Sequence, residues 1–155
     1  MDGFTQKINN KWLFSIFTLT KLPSLWFWGV RVDSFTPSAC NILIKYSWFT
    51  KNPFQSVYFS ALSGAAELST GLLVQRLALS KGNVSMLVVK ADSHFIKKAT
   101  GNIVFYCQQG NEVDLAFQSL VKSGDTTQLV LQSIGKNEAG DEVARFSFTW
   151  SLKKK

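Results

Sequence analysis

Hydrophobic and polar positions change period several times along the chain, and each change marks an element. From Asn10 to about Lys21, Leu13, Ile16 and Phe17 share one side at helical spacing, which predicts a short helix, followed by a turn at Pro23. From Trp28 the period falls to two. Val30 and Val32 alternate with Arg31 and Asp33, and Thr36-Pro37 breaks the run. Cys40, Ile42, Ile44, Tyr46 and Trp48 then alternate with Asn41, Leu43, Lys45 and Ser47, a second strand expected to hairpin with the first. Lys51-Asn52-Pro53 ends it.

The next stretch has no polar face. Glu67 is the only charged residue between Asn52 and Gln75. A surface helix shows a polar side, whereas one that is apolar all round is buried on nearly every side. The pattern predicts such a central helix over about 58–79. Ser60, Ala61, Ser63, Gly64, Ala65, Ala66 and Gly71 recur on it, small enough for a sheet to approach the backbone closely. Gly64 and Gly71 each weaken a helix by about 1 kcal/mol relative to Ala, so a packing reason for them is expected. Arg76 and Lys81-Gly82 mark its C-terminal end.

The remainder reads mostly as strand. Met86, Val88 and Lys90 alternate with Leu87, Val89 and Ala91 towards Phe95 and Ile96; Gly101-Asn102 turns; Ile103, Phe105 and Cys107 alternate with their neighbours. A short amphipathic helix starts near Asn111, with Asn111 a candidate cap at its start and Gly124 at its end. Two closing strands, Gln128 to Ile134 and Glu142 to Leu152, flank a turn at 137–140. The order predicts one α+β domain over residues 1–155, an antiparallel curved sheet wrapped around the central helix. One flat sheet covers only one side of a helix, so a second copy is expected to complete the cover, giving a homodimer or tetramer.

Composition narrows the classes. The chain of 155 residues is 46% hydrophobic and 17% charged, enough for a packed core and too little charge for a disordered chain. Net charge is +7, which attracts phosphates, nucleic acid or anionic membrane surfaces. The aromatic residues alternate towards the core and no basic-aromatic surface motif accompanies them, which argues against nucleic acid. Lys153-Lys154-Lys155 reads as a frayed, solvated tail. Cys40 and Cys107 lie in strand-like runs without CxxC or Cys/His clustering, so no metal is expected; two reduced, buried thiols suit a cytoplasmic protein. The apolar stretch from Trp12 to Val30 lacks the flanks of a signal peptide and is interrupted by Lys21 and Pro23, so no transmembrane segment is expected. A short helix packed on the sheet is the leading reading, with a helix lying on a membrane surface as the alternative.

The element order, together with Asn52 and the run from Tyr58 to Glu67, resembles the hotdog-fold thioesterase superfamily, nearest to the phenylacetate-type thioesterases and a domain-of-unknown-function branch beside them. That family places an Asn, then a His-Gly-Gly opening the central helix, then an acidic residue nine positions after the His. Asn52 matches the Asn, Tyr58 stands at the His, and Glu67 falls nine residues later. Lys98-Ala-Thr-Gly101 resembles the family's basic-small-Gly segment after a strand. The resemblance covers about residues 28–153 and implies a hotdog fold. Tyr58, Phe59 and Ser60 depart from His-Gly-Gly, and Phe59 adds bulk where the family's glycines let a thioester carbonyl approach.

Glu67 is the leading chemical candidate on its own terms. A carboxylate inside an apolar helix is costly unless paired or protonated, and burial raises its pKa towards the range of a general base. A structural Glu bonded across a subunit boundary is the alternative. By the resemblance, Glu67 activates water or attacks the carbonyl. Asn52 orients that water, or instead caps a turn before Pro53. Tyr58 donates a hydrogen bond, or packs with a wet hydroxyl. The amides of Phe59 and Ser60, left unpaired at a helix start, could hold an oxyanion. Lys97, Lys98 and Gly101 are candidates for contacting the phosphates of coenzyme A, with a solvated strand end as the alternative. His94, the single histidine, reads as a surface residue. The expected function is hydrolysis of an acyl-coenzyme A or acyl-carrier thioester, with coenzyme A part of the substrate and no other cofactor. The alternative is a non-catalytic protein that binds acyl or lipid ligands.

Overall fold

The computed structural model describes residues 3–155. Three helices open the chain: α1 (Gly3–Asn9), α2 (Lys11–Lys21) and α3 (Pro23–Phe27). Asn10 caps α2, its side chain accepting from the amides of Trp12 and Leu13. Pro23 does not mark a plain turn as expected; it starts α3, where a missing N–H costs nothing. Strands β1 (Arg31–Phe35) and β2 (Cys40–Lys45) pair antiparallel, and α4 (Phe59–Ser80) follows. Then come β3 (Val84–Phe95), β4 (Asn102–Cys107), α5 (Gly110–Gln118), β5 (Thr126–Asn137) and β6 (Glu142–Lys154).

The six strands form one antiparallel sheet in the order β1-β2-β4-β5-β6-β3. Helix α4 packs against five of them, β2 to β6. Thirteen of its 22 residues are buried, which is why the sequence gives it no polar face. The sheet closes around it with Ala144, Phe146, Phe148, Trp150 and Leu152, the inward positions of β6, all buried. This is the hotdog arrangement. Two hydroxyls on α4 that the core encloses are satisfied across the layers: Ser69 Oγ lies 2.7 Å from Ser133 Oγ of β5, and Thr70 Oγ1 accepts from Trp150 Nε1 at 3.1 Å.

The two helix glycines have different reasons. A Cβ on Gly71 would lie 3.3 Å from the Trp150 ring, so this position does admit the sheet. A Cβ on Gly64 would meet Leu25 and Trp28 at the end of the N-terminal helices, so there the close neighbour is not the sheet. Three other local expectations are corrected. Helix α5 starts one residue before Asn111, because Gly110 presses on the 36–39 turn and its N–H donates to the Ser38 carbonyl at 3.0 Å. It ends at Gln118, and Gly124 instead serves the turn into β5 with φ of 95°. Nor is the lysine run frayed: Lys153 and Lys154 belong to β6, and the Lys155 N–H donates to the Asn83 carbonyl at 2.7 Å.

Candidate active site

The start of α4 is fixed by backbone bonds rather than by a side-chain cap. Tyr58 has extended geometry (φ −62°, ψ 137°); its N–H donates to the Thr50 carbonyl at 2.7 Å, and Val57 N–H donates to Ala99 at 2.8 Å. The first bond ties the helix entrance to the turn after β2, the second to the segment after β3. The N–H groups of Phe59 and Ser60 find no protein acceptor among the described residues, as expected for the first positions of a helix. Two donors therefore point outward at the positive end of a 22-residue helix.

A cleft of about 480 Å³ opens at this helix start, between the 52–57 loop and residues 95–99. Tyr58 and Phe59 pack edge to face with centroids 4.9 Å apart, Phe59 meets Phe95 at 6.5 Å, and Phe95 meets the buried Phe146 at 5.6 Å. The wall is thus an aromatic path running from solvent into the core. Phe59 itself is 55% exposed, its ring standing in the cleft where the resembling family has glycine. The Tyr58 hydroxyl is exposed and makes no hydrogen bond among the described residues.

Asn52 lines the cleft but spends its amide on the loop. Its Oδ1 accepts from the amides of Phe54 at 3.0 Å and Ser56 at 3.2 Å, and its Nδ2 lies 3.1 Å from Ser56 Oγ. That geometry favours a turn-holding role over orienting a water. Lys97 and Lys98 both stand at the rim. Lys98 Nζ donates to the Phe54 carbonyl at 3.1 Å, and Lys97 pairs with Asp141 at 3.0 Å. The Lys97 hydrogen bond, helped by Asn137, holds the Asp141 carboxyl below its ordinary range. Gly101 lies outside the cleft lining, in the turn before β4 at φ of 74°.

Glu67 also lies outside that lining. It sits eight residues along α4 from Phe59, about 12 Å by helical rise. Its Oε1 stands against Gly71, beside the Trp150 ring of β6. No hydrogen bond or ion pair among the described residues reaches the carboxylate, which is half-buried. Burial alone pushes its pKa up. Thr70 gives it no help, because that hydroxyl already donates to the Glu67 carbonyl and accepts from Trp150. One chain therefore presents a half-buried carboxyl without a protein partner near β6 and, separately, a pair of free amides opening on a cleft.

Sequence reasoning missed Phe54, Leu62, Phe95 and Ile96 as cleft residues. Their apolar character signalled only core or strand. What places them is the long-range bond between Val57 and Ala99, which no local pattern encodes.

Comparison with known proteins places the chain among relatives of the same shape. A family profile described as a domain of unknown function (DUF4442) matches residues 10–152. A protein from Pseudomonas aeruginosa described as a probable thioesterase superposes with a TM-score of 0.79 at 20% identity, covering 92% of this chain and 95% of that one. A protein of unknown function from Chlorobaculum tepidum gives 0.78 at 16% identity, covering 97% and 99%. A thioesterase from Haemophilus influenzae gives 0.68 at 12% identity, covering 90% and 88%. No curated protein matches the sequence significantly.

Proposed function

The chain belongs to the DUF4442 family, and from that premise we propose that it is a cytoplasmic hydrolase of acyl thioesters carried on coenzyme A or a carrier protein. The observation that carries this reading is Glu67, a half-buried carboxyl without a protein partner among the described residues and the only charge on α4 before Arg76. A structural carboxylate would be expected to have a donor beside it. With its pKa raised by burial, Glu67 is suited to take a proton from water. The water oxygen attacks the thioester carbonyl, the charge developing on the carbonyl oxygen is met by the Phe59 and Ser60 amides, and collapse expels the thiol. The aromatic wall suits an apolar acyl group, and Lys97 and Lys98 at the rim suit the phosphates of coenzyme A.

The separation of Glu67 from the free amides has a simple resolution in two copies. β3 is an edge strand of 12 residues with Leu87 and Val89 exposed, a form that invites pairing with another strand. In this reading two chains joined along β3 share their sites, Glu67 of one copy serving the helix start of the other. The similarity in shape to a probable thioesterase supports the hydrolase reading, not the pairing.

The alternative is an acyl-binding protein without turnover. The Phe59 ring, occupying part of the cleft where a carbonyl would approach, favours it. A thiol-release assay over a panel of acyl-coenzyme A thioesters, with Glu67→Gln alongside, separates the two. Turnover that the variant loses is the expected result. Retention of acyl ligand with no turnover at any chain length would replace hydrolysis by binding.

A further inference from the structure

The N-terminal helices carry an apolar surface that neither the core nor the cleft uses. On α2, Phe14 and Thr18 face inward, while Trp12, Leu13, Ile16 and Leu19 are all exposed, Trp12 to 79%. At 100° per residue these four fall within an arc of about 120°, one continuous stripe on the outer side of the helix. Trp26 Nε1 donates to Ser15 Oγ at 3.0 Å and fixes α3 against α2, so the exposed Phe27 is held on the same layer. Exposed residues of this size are unremarkable singly; five on one helical layer mark an interaction surface.

Charge identifies what meets it. From Gly3 to Val32 the sequence has four basic residues, Lys7, Lys11, Lys21 and Arg31, and no acidic one. All four are exposed, and none forms an ion pair among the described residues. An identical face would be repelled by this ring of lysines, whereas lipid phosphates are attracted. The layer also packs at the β1 end of the sheet, the edge opposite β3, so self-association along β3 leaves it open. Between α1, α2 and the last turn of α4 lies a groove of about 700 Å³, lined in part by Leu13, Ile16, Phe17 and the exposed Leu79. It offers space beside the stripe for a lipid chain. No described helix is long and apolar enough to cross a bilayer. Tryptophan among aliphatic side chains, bordered by lysine, is the composition of a helix lying in the headgroup region.

We propose that the α2–α3 layer docks the protein on the surface of a bilayer containing anionic lipid, with Trp12, Leu13, Ile16 and Leu19 inserted and Lys7, Lys11 and Lys21 on the headgroups. The inference does not depend on the hydrolase reading. Full-length protein is sedimented with vesicles of phosphatidylcholine alone and with vesicles that also contain phosphatidylglycerol. The expected result is binding to the anionic vesicles only, weakening steeply as salt rises. The double variants Lys11→Glu/Lys21→Glu and Trp12→Ser/Ile16→Ser should each lower binding by about tenfold or more while circular dichroism and Tm stay unchanged, since all four residues are exposed. Folded wild type that ignores anionic vesicles, equal binding to neutral ones, or binding indifferent to both variants would overturn the proposal. So would a lipid-free assembly whose mass drops on Trp12→Ser, because a protein copy would then cover the stripe.

Discussion

Two residues carry the chemical argument. Burial raises the pKa of Glu67, so its ionisation costs more in the folded protein than in the unfolded chain. The stabilising effect of that proton is complete below the ordinary glutamate range and is lost as pH rises through the raised value. Glu67→Gln, neutral at every pH, should therefore melt higher than wild type at neutral pH and match it in acid, as followed by Tm against pH. The same substitution should lower kcat by about 10²–10⁴-fold. Phe59 is tested differently. Its N–H has no acceptor, it occupies the first helical position, and Tyr58 before it is already extended, so proline is accommodated there. Phe59→Pro removes the candidate oxyanion donor and should cost about 10²–10³-fold in kcat. Phe59→Ala keeps the donor and removes the ring. If both variants lose activity alike, the ring matters and the amide does not. The cysteines offer a contrast: Cys40 and Cys107 face each other across β2 and β4, and burial holds Cys107 at about 11, so neither is a ready nucleophile.

Elements whose burial is one-sided or complete were legible from periodicity. β6 alternates because one face is core, and α4 lacks a polar face because strands surround it. Asn10 could be read as a helix boundary because its side chain does the capping. The α5 boundaries were not legible, because they are decided by a distant turn. A Cβ on Gly110 would lie 2.2 Å from the Pro37 carbonyl oxygen, and neither Asn111 nor Gly124 reports that contact. Gly110→Ala should destabilise the fold by about 1–3 kcal/mol in denaturant unfolding, with the backbone rather than a flexible side chain having to move. The candidate site was open to local reading only in part, for the same reason. Glu67 and the helix start could be named from local pattern, but the cleft wall depends on β3 returning beside the 52–57 loop, which is a property of sheet order.

For the whole molecule, the proposed pairing along β3 fixes what should be seen in solution. Light scattering behind size exclusion should give a mass of twice 17.3 kDa, or a higher even multiple. Leu87→Lys, at an exposed edge position, should shift the population to monomer at low protein concentration, and thioesterase activity should fall with it. A monomeric variant with full activity would show that one chain holds a complete site.

The place of β3 in the sheet has a further consequence during synthesis. Its only partner among the described strands is β6, and the register runs from Phe95 with Ala144 to Val84 with Lys154. At ~5–20 residues per second, β3 leaves the ribosome several seconds before the strand that covers its inner edge exists. In that interval both of its edges are open, and neighbouring nascent chains on one message carry the same strand. Lys90 and Asp92, paired at 2.9 Å on its exposed surface, put charge in the middle of that strand. Slower, cooler expression lengthens the wait, whereas a chaperone that shields extended apolar segments removes the hazard, so yield of folded protein should respond more to chaperone level than to temperature.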